Sequence, residues 1–318
     1  MENACSGGSV RRSAKSKHSQ AEIDNRKMEE KSKTTERWTI GAILNWTATY
    51  FAGKGVKTPR LDAEILLAHS LKVDRLYLYL NLDRPLLPDE RSRFRELVKR
   101  RGLREPVALI TGKKEFWSIS LEVKAGILIP RPETEILVEA VLQEIKENPA
   151  AKVLEIGTGS GAVAIALTKE NPRAEVLATD KDFAALAVAR ENAREANIEH
   201  SVQFLAADLF DTVRLGRHFD VICSNPPYVP TNIIPTLDPD VRDFEPMRAL
   251  DGGPDGLGVI RRLAAHAGNL LHRPGALMLE FGDGQEEAVR MIFMSAGFEV
   301  VVIFRDLSGK PRVIKGKI

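Results

Sequence analysis

Hydrophobic and polar positions follow a helical period up to about residue 105 and then a strand-like one. Ile40, Ile43, Leu44, Thr47 and Phe51 fall on one face and predict a helix ending near Gly53 and Gly55. Thr58-Pro59 has the form of an N-cap followed by proline at the first helical position, leading Leu61, Ile65, Leu66 and Ala68 into a second helix. Pro88-Asp89-Glu90 opens a third, with Phe94, Leu97 and Val98 as its inner stripe and Gly102 as its stop. Between 116 and 129 strand-favouring residues with Ala125-Gly126 as the turn predict a hairpin. Pro130-Arg131-Pro132-Glu133 then opens a helix through Ile136, Leu137, Ala140, Val141 and Ile145.

Beyond it, buried strands alternate with helices. The strands are 153–156, 176–179, 202–206, 221–224 and 276–281, with a late pair at 300–304 and 312–314. That alternation predicts an α/β fold with a parallel, doubly wound sheet. The expected organisation is a disordered tail over 1–35, a small helical domain over 36–112, a hairpin linker over 113–130 and the α/β domain over 131–318. The tail is rich in Ser, Lys and Glu and too poor in apolar residues to offset ordering entropy; Met28 is an alternative start.

Composition narrows the class. With 318 residues, 43% hydrophobic and 28% charged, the chain reads as a soluble, cytoplasmic protein of two domains. Its apolar runs are too short to span a membrane, and no secretory h-region precedes the first helix. A net charge of +2 gives no strong basic field of the kind that drives nucleic-acid binding. Cys5 and Cys223 lie far apart with no metal-ligand spacing, so a reducing compartment and a metal-free site are expected.

The first strand of the sheet runs into Gly157-Thr158-Gly159-Ser160-Gly161 and then a helix. Glycines there let backbone approach a ligand and aim a helix N-terminus at it. Asp180 ends the second strand, 23 residues after Gly157, close to the roughly 20 expected for a carboxylate that holds ribose hydroxyls. The pair points to an adenosine-containing cofactor. Asp208, closing the third strand, suits an adenine amino group with Leu209 packed on the ring, and suits a helix N-cap equally well.

The decisive run is Asn225-Pro226-Pro227-Tyr228, directly after the fourth strand. Two prolines fix φ and remove N–H donors, leaving the Asn225 carboxamide and the Pro226 carbonyl as rigid acceptors. Such acceptors suit a planar NH2, whose nitrogen they turn toward a sulfonium methyl, while Tyr228 stacks on the flat group or walls its pocket. No general base is evident, and none is required, since the nitrogen can lose its proton to solvent after methylation.

These residues resemble the class I methyltransferases that carry an N-P-P-Y motif, and more closely the release factor glutamine methyltransferases known as PrmC or HemK. The likeness runs from about Trp38 to Gly316 and includes 59–68, 129–135, 157–161, 225–228, 244–246, 250–253 and 305–309. It implies a Rossmann-like sheet and S-adenosylmethionine as cofactor. Cofactor contacts would lie at Gly157 to Gly161, Asp180, Asp208 or Leu209, and Asn225, with Asn225, Pro226, Pro227 and Tyr228 receiving the substrate. It also implies a class 1 peptide chain release factor as partner, met by a monomer without nucleic acid. Family members often carry an aromatic residue at the position of Leu209.

Other substrates fit the same acceptors: an extruded adenine in DNA, a guanine amino group in RNA, or a glutamine of a ribosomal protein. A nicotinamide-dependent dehydrogenase shares the glycine loop and Asp180 but gives no reason for 225–228. A non-enzymatic binding protein on this scaffold gives no reason for an intact Asn225.

Overall fold

The structure is a computed structural model that describes residues 38–211 and 218–318. The expected tail over 1–35 lies outside them. The chain divides into two compact units, with the boundary between Lys99 and Arg100.

In the first unit, helix α1 (Ile40–Gly53) is capped by Thr39, whose side chain accepts from the Ala42 N–H, and it buries the five residues expected from its spacing. Helix α2 (Pro59–Leu71) differs from the expectation in two ways. Thr58 makes no cap; its hydroxyl donates to Asp62 Oδ1 at 2.8 Å. The buried face is Ala63, Leu66, Leu67 and Ala68, with Leu61 outside it. Helix α3 (Arg75–Leu80), too short to show a period, was not anticipated; it adds Leu78 to the core, and α4 (Pro88–Gly102) adds Phe94. Glu64, almost fully buried in α2, is balanced by Arg60, Arg75 and the Tyr79 hydroxyl, each within 2.8 Å.

The second unit begins with a short helix, α5 (Val107–Thr111), and a hairpin of β1 (Lys113–Phe116) and β2 (Ile119–Glu122). Its turn is Trp117-Ser118, not Ala125-Gly126, which follows the hairpin instead. Pairing of Phe116 with Ile119 leaves two residues for the reversal, and both take positive φ, 50° and 57°, the geometry that favours glycine or asparagine. Tertiary bonds hold this unfavourable turn. The Trp117 backbone N–H donates to Glu135 and its indole Nε1 to Glu170, both at 2.8 Å.

The main sheet has seven strands in the order β5-β4-β3-β6-β7-β9-β8. Strands β3 (Lys152–Ile156), β4 (Glu175–Asp180), β5 (Val202–Ala206), β6 (Phe219–Ser224) and β7 (Leu271–Glu280) pair in parallel. The late pair, β8 (Glu299–Arg305) and β9 (Pro311–Lys317), joins antiparallel. Both faces are covered. Val153, Val221, Cys223, Ala276 and Met278 belong to one apolar cluster, with α6 (Glu135–Glu144) and α7 (Ala162–Glu170). Their alternating neighbours Leu154, Ile222, Leu277 and Leu279 belong to the other, with α11 (Gly258–Ala267) and α12 (Glu286–Ser295). Short helices α9 (Pro239–Arg242) and α10 (Met247–Leu250) lie between β6 and α11 in sequence. A strand buried on both faces must be apolar at successive positions, which is why these segments read as runs.

The order places β3 and β6 side by side, so the loops after them open at the same edge. Helix α8 (Phe183–Glu195) ties the hairpin to that edge: Asn192 bonds the N–H and C=O of Glu122 and the carbonyl of Ser160.

Candidate active site

A cleft opens at the carboxyl edge of the parallel strands. Its walls include Gly157 to Ser160, Asp180, Asp208, Leu209, Asn225, Pro226 and Pro227. Three glycines of the loop take positive φ, 76° at Gly157, 57° at Gly159 and 84° at Gly161, so the chain reverses into α7 without a side-chain penalty. The loop is pinned from below by Glu155, which accepts from the Thr158 hydroxyl at 2.7 Å and the Ala164 N–H at 3.0 Å. Burial pushes the Glu155 carboxyl up to about 7 against those two bonds.

Asp180 accepts from the Gly159 N–H and the Asp182 N–H, both at 2.9 Å. Each carboxylate oxygen thus keeps a lone pair toward the cleft. A Cβ on Gly159 would meet nothing within 4 Å, so that stretch of loop faces open space. Asp208 is followed by a turn over 209–211, and Leu209 has φ 52°. Arg262, on the far wall, comes within 3.9 Å of Asp208. The cleft thus offers a carboxylate at Asp180, a second at Asp208 and the apolar side chain of Leu209, a set whose chemistry fits an adenosine cofactor.

Asn225 donates through Nδ2 to the Thr134 hydroxyl at 2.9 Å. Thr134 reaches the site from the turn Pro132–Thr134 before α6, so the proline-opened segment also supplies a wall of the cleft. Arg131 of the same segment lines the cleft and pairs with buried Glu245. Pro226 is buried and Pro227 half-buried, and both border the cleft.

Tyr228 stands apart from the expectation. Its side chain is not among the cleft-lining groups; its hydroxyl donates inward to buried Glu280 at 3.1 Å. Burial and the neighbouring Glu280 carboxylate raise the phenol well above its ordinary value. Its backbone is clamped as well. Gln285 Nε2 donates to the Tyr228 carbonyl at 2.9 Å, and a Cβ on Gly256 would run into that same carbonyl. A Cβ on Gly252 would in turn strike the Gly256 backbone, so Gly252 and Gly256 are required by close packing against the Tyr228 backbone and each other.

Sequence reasoning passed over Thr134, Glu280, Gln285 and Arg262. Thr134 lies in the 129–135 run but is assigned no role there, and the other three sit in no local pattern; the four come from separate segments joined by the fold. Among the described residues, no group of three or more His, Cys, Asp or Glu could hold a metal, and no helix is long and apolar enough to cross a membrane.

Two family models match the chain. Residues 42–112 match the PrmC N-terminal domain, and residues 133–233 match the methyltransferase small domain. A release factor glutamine methyltransferase of Geobacter sulfurreducens is 42% identical over 283 residues, covering 89% of this chain and 98% of its own. One from Rhodopirellula baltica is 40% identical, covering 87% and 95%, and one from Caulobacter vibrioides is 40% identical, covering 87% and 96%. The crystallised catalytic domain of hMettl16, in complex with a MAT2A 3′UTR hairpin, superposes with a TM-score of 0.54 at 14% identity, covering 70% of this chain and 80% of that one. That likeness shows the fold alone.

Proposed function

This chain belongs to the release factor glutamine methyltransferase family, and from that membership we propose that it methylates the glutamine of the Gly-Gly-Gln loop in class 1 peptide chain release factors, with S-adenosylmethionine as donor. The observation that carries the reading is the position of Asn225 and Pro226 on the same cleft as the glycine loop and Asp180.

The cofactor supplies an electrophilic methyl on a sulfonium. Asp180 would hold the ribose hydroxyls, Asp208 and Leu209 the adenine, and the loop from Gly157 through Thr158, Gly159 and Ser160 to Gly161 would let the chain pass close beside it. Asn225 and the Pro226 carbonyl accept the two protons of the glutamine NH2, which places the nitrogen in line with the methyl. Pro227 holds the turn rigid, and Tyr228 supports it from behind. As the N–C bond forms, the methyl's bond to sulfur would break and the positive charge pass from sulfur to the nitrogen, which would then lose one proton to solvent while Asn225 and Pro226 hold it. Positioning alone is worth roughly 7 to 11 kcal/mol at best. The helical unit has its own core and no chemistry, so it serves to grip the folded release factor, adding remote binding energy to orientation at the nitrogen. This reading puts the enzyme in the cytoplasm as a monomer with no nucleic acid.

Purified protein, radiolabelled cofactor and a bacterial class 1 release factor should label the single glutamine of the Gly-Gly-Gln loop, and its replacement should abolish labelling. Labelling of ribosomal protein or duplex DNA in preference would reassign the substrate. Asn225→Ala should lose turnover by about 2.7 to 4 kcal/mol, as for deletion of one preorganised polar group; wild-type turnover would refute its role.

A further inference from the structure

Glu280 is a carboxylate buried at the end of β7, 1% exposed, with Oε2 lacking any hydrogen-bond partner among the described residues. Burying an acid with an unpartnered oxygen is costly, and an apolar residue would fill the place better. Its remaining contacts run toward the cleft. The Tyr228 hydroxyl donates to Oε1 at 3.1 Å, and the Thr134 hydroxyl lies beside the same carboxylate. Thr134 Oγ1 in turn receives Asn225 Nδ2 at 2.9 Å.

A hydroxyl has one proton to give. An ionised Glu280 can only accept, so a Thr134 hydroxyl turned to it spends its proton there and shows Asn225 nothing but lone pairs. Only the NH2 end of the Asn225 amide can then face Thr134, and Oδ1 is turned to the cleft as an acceptor. If Glu280 carries a proton it can donate to Thr134, Thr134 can donate to Asn225, and either end of the amide fits. We propose that Glu280 and Thr134 are positioning residues that fix which face of the Asn225 carboxamide meets the substrate nitrogen. The proposal rests on the reading that Asn225 orients that nitrogen.

Groups facing Glu280 bear on its protonation. Burial raises it most; bonds from Thr134 and Tyr228 lower it, Glu133 raises it and Arg312 lowers it, leaving it at about 7. Turnover should therefore fall as pH drops through that value.

Three measurements on the full chain with a purified release factor decide the matter. Thr134→Val should lower kcat roughly tenfold, the worth of one lost hydrogen bond, with KM and cofactor affinity nearly unchanged, and Thr134→Ser should recover most of it. Glu280→Gln should show low kcat without the acid limb of the wild type. In protein labelled with 15N at asparagine, the Asn225 side-chain amide should shift in both Thr134→Val and Glu280→Gln. Wild-type kcat in both variants, with Asn225→Ala inactive, would overturn the inference alone. Full activity in Asn225→Ala, or a wild type that does not act on release factor, would overturn the functional reading instead. In that case the amide resonance still tests the network, and an unchanged signal in both variants would sink it.

Discussion

Asp180 has two tasks for one carboxylate. Its bonds to the N–H groups of Gly159 and Asp182 hold the loop in shape, and its remaining lone pairs would, in the proposed function, take the cofactor's ribose hydroxyls. Asp180→Ala should therefore weaken S-adenosylmethionine by about 1.5 to 3 kcal/mol, the worth of a charge-assisted hydrogen bond, while the fold persists. Calorimetric titration alongside circular dichroism would show both; undiminished affinity would remove the assignment. Residues of this kind were legible in sequence because each closes a strand, and the ends of parallel strands share one edge. Thr134 and Glu280 were not legible, since 91 residues separate Thr134 from its partner Asn225 and only the strand order unites them.

At the scale of elements, Gly159 and Gly161 look alike in sequence and do different work. Both have positive φ, so alanine at either costs about 1 to 2 kcal/mol of backbone strain. A Cβ on Gly161 would also press on Ala189 at 3.0 Å and Ile165 at 3.1 Å, prising α7 from α8, whereas one on Gly159 would meet nothing. Gly161→Ala should thus lose more stability in urea titration than Gly159→Ala, and equal losses would mean that the helices readily move apart. Strands and helices followed from periodicity because both faces of the sheet are covered and successive residues must be apolar. The hairpin turn did not, because Trp117-Ser118 takes its shape from bonds to Glu135 and Glu170 rather than from its own residues.

For the whole molecule, buried carboxyls decide how stability depends on pH. Burial pushes Glu155 and Glu280 up to about 7 and raises Glu245, so the folded chain holds protons above 4.5 that the unfolded chain has released. Stability from these groups is full below 4.5 and is lost as pH rises through about 7. Glu64 and Glu144 act in the opposite sense. Despite burial, Tyr79, Arg60 and Arg75 hold the first low, and Lys317 and Lys315 the second, so their contribution is present above the ordinary carboxyl value and lost as pH falls below it. Exposed pairs such as Asp255 with Arg261 add little to either limb. The two trends place maximum stability between 4.5 and about 7. The melting temperature should accordingly be higher at about pH 5.5 than at about pH 8. Glu155→Gln separates this cause from any other. Its amide oxygen has two lone pairs and can still receive both Thr158 and Ala164, so the loop keeps its anchor while the titration disappears. The fall between the two pH values should be smaller in that variant; an undiminished fall would show that the Glu155 carboxyl is not held protonated by burial in the folded chain.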